Sequence, residues 1–143
     1  MLAAIRLAPK YALAYNNRGA AWNRKKDYAK AIADFNEALR LNPKLHLALV
    51  NSTWLLATCP AAEFRDGQKA VELGKQACEV SAWRDANDIA NFAAAHAEAG
   101  NFEEAVKWQT KANEMYSPAE RDQWGFLLQL YKDRKPYHEA PKA

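Results

Sequence analysis

Glycine is scarce in this chain, at 5 of 143 residues, and cysteine scarcer still, at 2. Two cysteines are too few for a disulfide-stapled scaffold. Val, Ile and Thr are also few, which excludes an all-β domain, since strands favour β-branched residues. A strong charge of either sign is missing too: 20 Lys and Arg face 17 Asp and Glu, a net +3 with neutral histidines. Nucleic-acid binding usually calls for a clustered basic face. The densest basic run, Arg24-Lys25-Lys26, is short and stops at Asp27. It reads as a solvated helix end, as does the stretch 132–135, and no nucleic-acid partner is expected. No run of about 18 uninterrupted apolar residues occurs, so no membrane span is expected either. Residues 1–6 lack the basic and long apolar regions of a signal peptide. A cytoplasmic location is the simplest expectation.

What the chain does have is alanine, at 30 residues, within a 50% apolar composition. Alanine is the best helix former. The 5 Trp, 5 Phe and 6 Tyr supply enough core to exclude disorder. At this length one domain is the default, burying roughly 68–70% of its unfolded surface.

The prolines expose a repeat. Pro9 and Pro43 lie 34 residues apart, and each closes a similar phrase, AIRLAP over 4–9 and ALRLNP over 38–43. A fixed period between 20 and 50 residues marks a repeat architecture. A unit framed over 12–45 carries Tyr15, Gly19 and Trp22 at helical spacing, then Tyr28, Ala31, Phe35 and Ala38. Lys25, Lys26 and Asp27 form a polar turn between them. This predicts two antiparallel helices, A and B, joined by a tight turn. Small residues at Gly19 and Ala31 let the two helices approach.

The aromatic–Gly–aromatic run, the Ala–Phe–Ala run and the closing Pro43 together resemble the tetratricopeptide repeat (TPR). The resemblance implies an all-α helix-turn-helix solenoid, a right-handed superhelix. One departure is Arg18, where the family often has Leu. A buried unpaired Arg is costly, so Arg18 is expected to reach Asp34 on helix B or to snorkel outward.

Two further units follow. Repeat 2 covers 46–82, with Ala70 and Ala77 in the places of Ala31 and Ala38. The spacing from Ala31 to Ala70 is 39 rather than 34, so about five residues are inserted, in the A–B turn 59–67. Pro60 stops helix A, Asp66 is the expected N-cap of helix B, and Phe64 anchors the loop. Repeat 3 covers 86–117, with Asp85 as N-cap, Gly100 at a left-handed helix end, and Ala105 and Ala112 as the seven-residue pair. A capping helix over 118–133 opens with Ser117, Pro118 and Glu120, the pattern of a capping box. Trp124, Leu127, Leu128 and Tyr131 make its apolar stripe. Pro136 and Pro141 are expected to end the order, leaving 134–143 as a tail. At the other end, 1–9 reads as the closing helix of a half-repeat, so the chain is expected to begin inside a repeat. It resembles C-terminal TPR segments of large bacterial multidomain proteins, some of them serine/threonine kinases. No kinase signature is present.

The resemblance also implies a function. In TPR proteins the A helices line a concave groove that holds extended peptides. This chain is therefore expected to be a non-catalytic protein–protein interaction scaffold that binds an extended peptide or a partner helix in the concave groove. The alternative is a structural terminal segment that self-associates through a truncated N-terminal edge exposing Leu2 and Ile5. The sixth residue of each unit is Asn: Asn17, Asn51 and Asn91. Each offers one acceptor and two donors, enough to bracket a bound peptide unit; the alternative is ordinary polar surface. Leu13, Leu47, Val50 and Trp54 are expected on or beside the groove, where exposed apolar area rimmed by polar groups marks a binding surface. Trp54 alternatively fills space left by the aromatic and glycine that repeat 2 lacks. Asn87, Glu98 and Asn23 are further groove candidates. Some TPR domains grip a C-terminal carboxylate with Lys, Arg and Asn; the comparable positions here, Asn16, Ala20, Val50, Ala90 and Ala94, carry no positive charge, which disfavours such a clamp.

Catalysis finds no constellation. His46, His96 and His138 are scattered, with no pair at metal-ligand spacing, so no metal, cofactor or catalytic residue is expected. Cys59 and His46 stand at opposite ends of one helix, roughly 20 Å apart at 1.5 Å per residue. A Cys59–Cys78 disulfide fails on similar distance grounds.

Overall fold

The computed structural model describes residues 2–140, with side chains from Lys10 onward. Eight α-helices occur among the described residues: α1 Leu2–Arg24, α2 Tyr28–Leu41, α3 His46–Thr58, α4 Gly67–Val80, α5 Ala86–Glu98, α6 Phe102–Met115, α7 Pro118–Trp124 and α8 Leu127–Lys132. One 3-10 turn, Ala62–Phe64, lies between α3 and α4. Helices α1/α2, α3/α4 and α5/α6 are packed hairpins, and the A helices α3 and α5 also pack on each other. The fold is all-α, the solenoid of helix pairs that the repeat implies.

The caps follow from sequence. Asp27, Asp66 and Asp85 each accept a hydrogen bond from a backbone N–H of the following first turn, satisfying donors that a helix start leaves free. Ser117 and Glu120 complete the expected capping box. Gly100 adopts φ +85°, the left-handed conformation that ends α5.

Alanines set the spacing between helices. Ala31, Ala38, Ala70, Ala105 and Ala112 are 0% exposed and Ala77 is 2% exposed. Each pair lies seven residues apart on a B helix, turned inward. Between α1 and α2 the approach is closer still: a β-carbon on Gly19 would stand 2.8 Å from Cε1 of Phe35. Arg18 does reach Asp34, with Nε and Nη2 each 2.8 Å from a carboxylate oxygen. That two-pronged pair holds the Asp34 charge where the side chain is only 7% exposed.

Three boundaries differ from the sequence expectation. Residues 2–9 are not a separate half-repeat helix, because α1 runs unbroken through Pro9. The phrase around Pro43 ends a helix because Asn42 turns to extended backbone and its side chain accepts from the Lys44 N–H. Pro9 follows Ala8, which has no such side chain. Leu2 and Ile5, expected at an exposed edge, lie outside the residues whose side chains are described. The capping helix is two helices, broken at Gly125 and Phe126. Gly125 is a weak helix former, and its carbonyl accepts from Leu128 in a tighter turn at 3.3 Å. Order also does not end at Pro136: residues 136–140 pack on the body of the protein.

Candidate functional site

Pro60 shapes the centre of the A-helix face. It has no N–H, so it cannot close the last turn of α3. The orphan carbonyls find other donors: the Asp66 N–H reaches Leu56 O at 2.8 Å, and Arg65 Nη1 reaches Cys59 O at 2.6 Å. The inserted loop thus folds over the end of α3, and Phe64 anchors it against the Tyr28 ring, 5.9 Å between centroids. The third donor comes from the tail: the Glu139 N–H reaches Thr58 O at 2.8 Å.

The tail crosses the ends of the A helices as a segment without regular secondary structure. Arg134, at φ +59°, turns the chain out of α8. Tyr137 then lies between Trp54 and Phe126, with centroids at 5.8 and 6.0 Å. His138 Nε2 meets Glu98 Oε1. Glu98 Oε2 lies 3.4 Å from Arg65 Nε, so one carboxylate joins the inserted loop to the tail. The indole N–H of Trp54 donates to Glu139 Oε1 at 2.7 Å.

Beside the tail opens a cleft of about 270 Å³. Trp54, Trp124 and Tyr116 form its aromatic walls, Ala90 and Leu127 line it, and Asn87 and Asn91 offer amides from α5. Trp54 and Trp124 meet edge to face at 6.0 Å, a favoured aromatic geometry. Among the described residues no Lys or Arg lines the cleft, and the one charged lining group is Glu139. A second hollow, of about 180 Å³, lies on the other side of Glu139, between Tyr28, Pro60 and the basic pair Arg24 and Lys26.

The sequence-predicted residues divide accordingly. Trp54, Asn87 and Asn91 line the cleft. Glu98 stands beside it, engaged by the tail. Asn51 donates to Asn16 Oδ1 at 3.1 Å, joining α3 to α1, and Asn17 is exposed on α1. Leu13 and Leu47 are exposed at corresponding positions of α1 and α3, and Val50 packs on the core. Asn23 lines the second hollow. Sequence reasoning missed Tyr116, Trp124 and the tail residues Tyr137, His138 and Glu139. The one available signal was an aromatic, Tyr137, next to a proline in a segment read as unstructured.

Reactive groups offer little chemistry. Burial pushes the Cys78 thiol up to about 12 and raises that of Cys59 as well, so both stay protonated and poorly nucleophilic. His46 is held by Asp88, Nε2 to Oδ2 at 2.6 Å. Burial lowers the pKa of His96, which packs edge-on against Phe92. Among the described residues, no group of three His, Cys, Asp or Glu is placed to hold a metal ion. No helix among them is long and apolar enough to cross a membrane.

Fold and cleft together define a helix-pair solenoid whose A-helix face is partly covered by residues 136–140. Residues 12–45, spanning the α1/α2 helix pair, match the family model of the tetratricopeptide repeat. A similar solved structure is the N-terminal domain of stress-induced protein-1 (STI-1) from C. elegans. It shares 19% identity and a TM-score of 0.64, over 89% of this chain and 96% of that one. No curated protein sequence matches the chain significantly.

Proposed function

We propose that the chain is a non-catalytic interaction scaffold that holds an extended peptide segment in the cleft on its A-helix face. The cleft itself carries this reading. It combines aromatic walls with two side-chain amides, the combination that buries a peptide side chain while bracketing its backbone. A bound helix is disfavoured, because 270 Å³ admits one or two side chains rather than a helical face about 10 Å across. The absence of basic lining groups among the described residues argues against a carboxylate clamp at this cleft. Asn91 is the amide assigned to the ligand, while Asn51 is committed to Asn16.

A displayed library of random nonapeptides, selected on the full chain, tests the reading. Trp54→Ala should weaken the selected peptides at least tenfold, about 1.4 kcal/mol. Asn91→Ala should weaken them by about one hydrogen bond, roughly 0.5–1.5 kcal/mol. Selected peptides whose affinity ignores both substitutions would place binding elsewhere and sink the proposal.

A further inference from the structure

The tail sits against the proposed site in the manner of a ligand. Residues 136–140 form neither helix nor strand, and their bonds run to the face beneath them. An aromatic ring rests on Trp54, a main-chain N–H bonds the Thr58 carbonyl, and a carboxylate accepts from the Trp54 indole. Each of these contacts can equally be made by a strand from another molecule. Glu139 lines both the 270 Å³ cleft and the 180 Å³ hollow. Lifting the tail away would therefore join them into one trough running from Trp124 past Trp54 to Tyr28. The far end of that trough carries Arg24 and Lys26, which suit an acidic group. The latch is also open to competition from water: His138 is 33% exposed in its bond to Glu98.

We infer that the partner segment of this groove is an extended strand with an aromatic residue two positions before an acidic one. Residues 136–140, with Tyr137 and Glu139, are the chain's own copy of that pattern. They occupy the site until a partner displaces them. The inference rests on the peptide-binding reading above and specifies its ligand. A segment tethered next to its site competes at an effective concentration near the millimolar range. The free site is thus masked from weak or mismatched peptides.

A fluorescent hexapeptide of the sequence Lys-Pro-Tyr-His-Glu-Ala provides the probe, read by anisotropy against the full chain. The tail is released in the full chain by combining Tyr137→Ala with Glu139→Ala, and more mildly by His138→Ala. The doubly substituted chain should bind the probe at least tenfold tighter than wild type, and the His138→Ala chain should fall between. A probe with Ala at its Tyr and Glu positions should bind none of the three chains. Equal probe binding to all three chains, or none to any, overturns the inference. So does loss of helical circular dichroism in the doubly substituted chain, which would make the tail part of the core. Library peptides that depend on Trp54 but lack the aromatic–acidic spacing would overturn the inference and leave the peptide-binding reading standing.

Discussion

Phe35→Ala should destabilise the chain by about 3–5 kcal/mol, the largest single effect expected. Phe35 is 1% exposed and belongs to the main core cluster with Ala31, Leu49 and Leu73. Its ring lies directly over Gly19. Removing the ring leaves a cavity whose opposite wall has no side chain to fill it. The pair makes a sharper prediction than either residue alone. Gly→Ala within a helix normally gains close to 1 kcal/mol. At Gly19 the new β-carbon would stand 2.8 and 2.9 Å from two ring atoms of Phe35. Overpacking of that kind costs roughly 1–3 kcal/mol, so Gly19→Ala should destabilise the wild-type chain. In the Phe35→Ala background the ring contacts are gone, although the Ala31 carbonyl oxygen still stands 3.2 Å from the new β-carbon, so the same substitution should cost less than in the wild-type chain. Urea unfolding of the four chains measures this. Additivity within about 0.5 kcal/mol would mean the two helices do not meet as described.

Gly67→Ala should cost about 3 kcal/mol, the upper end of overpacking, lowering the melting temperature by roughly 6–12 °C. The substitution looks harmless locally, because Gly67 is the first residue of α4, behind its Asp66 cap. Its obstacle is tertiary. A β-carbon there would lie 2.6 Å from the Ala99 nitrogen and 2.8 Å from the Glu98 carbonyl carbon. Both are backbone atoms and cannot rotate away, so the end of α5 must move. Glu98 moves with it, and Glu98 is the group that holds His138. Gly67→Ala should therefore loosen the tail as well as lower the melting point. An unchanged or higher melting temperature would refute the packing of α4 on α5.

Much of this fold is legible in sequence because its determinants are local. The inward alanine pairs, the caps at Asp66, Asp85 and Ser117, and the reach of Arg18 to Asp34 all follow from spacing within one hairpin. Two boundaries depart from the sequence pattern for local reasons of a subtler kind. Pro9 looks like Pro43 but lacks the Asn that turns the chain. Gly125 sits inside an apolar stripe whose helical period continues through the break. The site was only half legible. Asn91 falls at the sixth place of its unit, so the period found it, and Trp54 and Asn87 lie on A helices that the period marks. The tail has no period, and its partners are remote: Glu139 bonds Trp54 across 85 residues of sequence, and His138 bonds Glu98 across 40. Nothing in a proline-bearing stretch of ten residues announces such contacts. The inserted turn in repeat 2 is the missing context, since Arg65 from that turn reaches the same Glu98 carboxylate that holds the tail.

The five tryptophans allow the most direct test of where peptide binds. Trp54 and Trp124 wall the cleft. Trp83 and Trp108 stack on each other at 4.9 Å, against Phe92. Trp22 lies under Lys30, 4.4 Å from the ammonium to the ring centroid. Their indole N–H resonances can be followed in one nitrogen-15 spectrum while the tightest library-selected nonapeptide is added. Binding in the A-helix cleft predicts saturable shifts at Trp54 and Trp124, with Trp22, Trp83 and Trp108 unmoved. Shifts at Trp83 and Trp108 with Trp54 and Trp124 unmoved would contradict it.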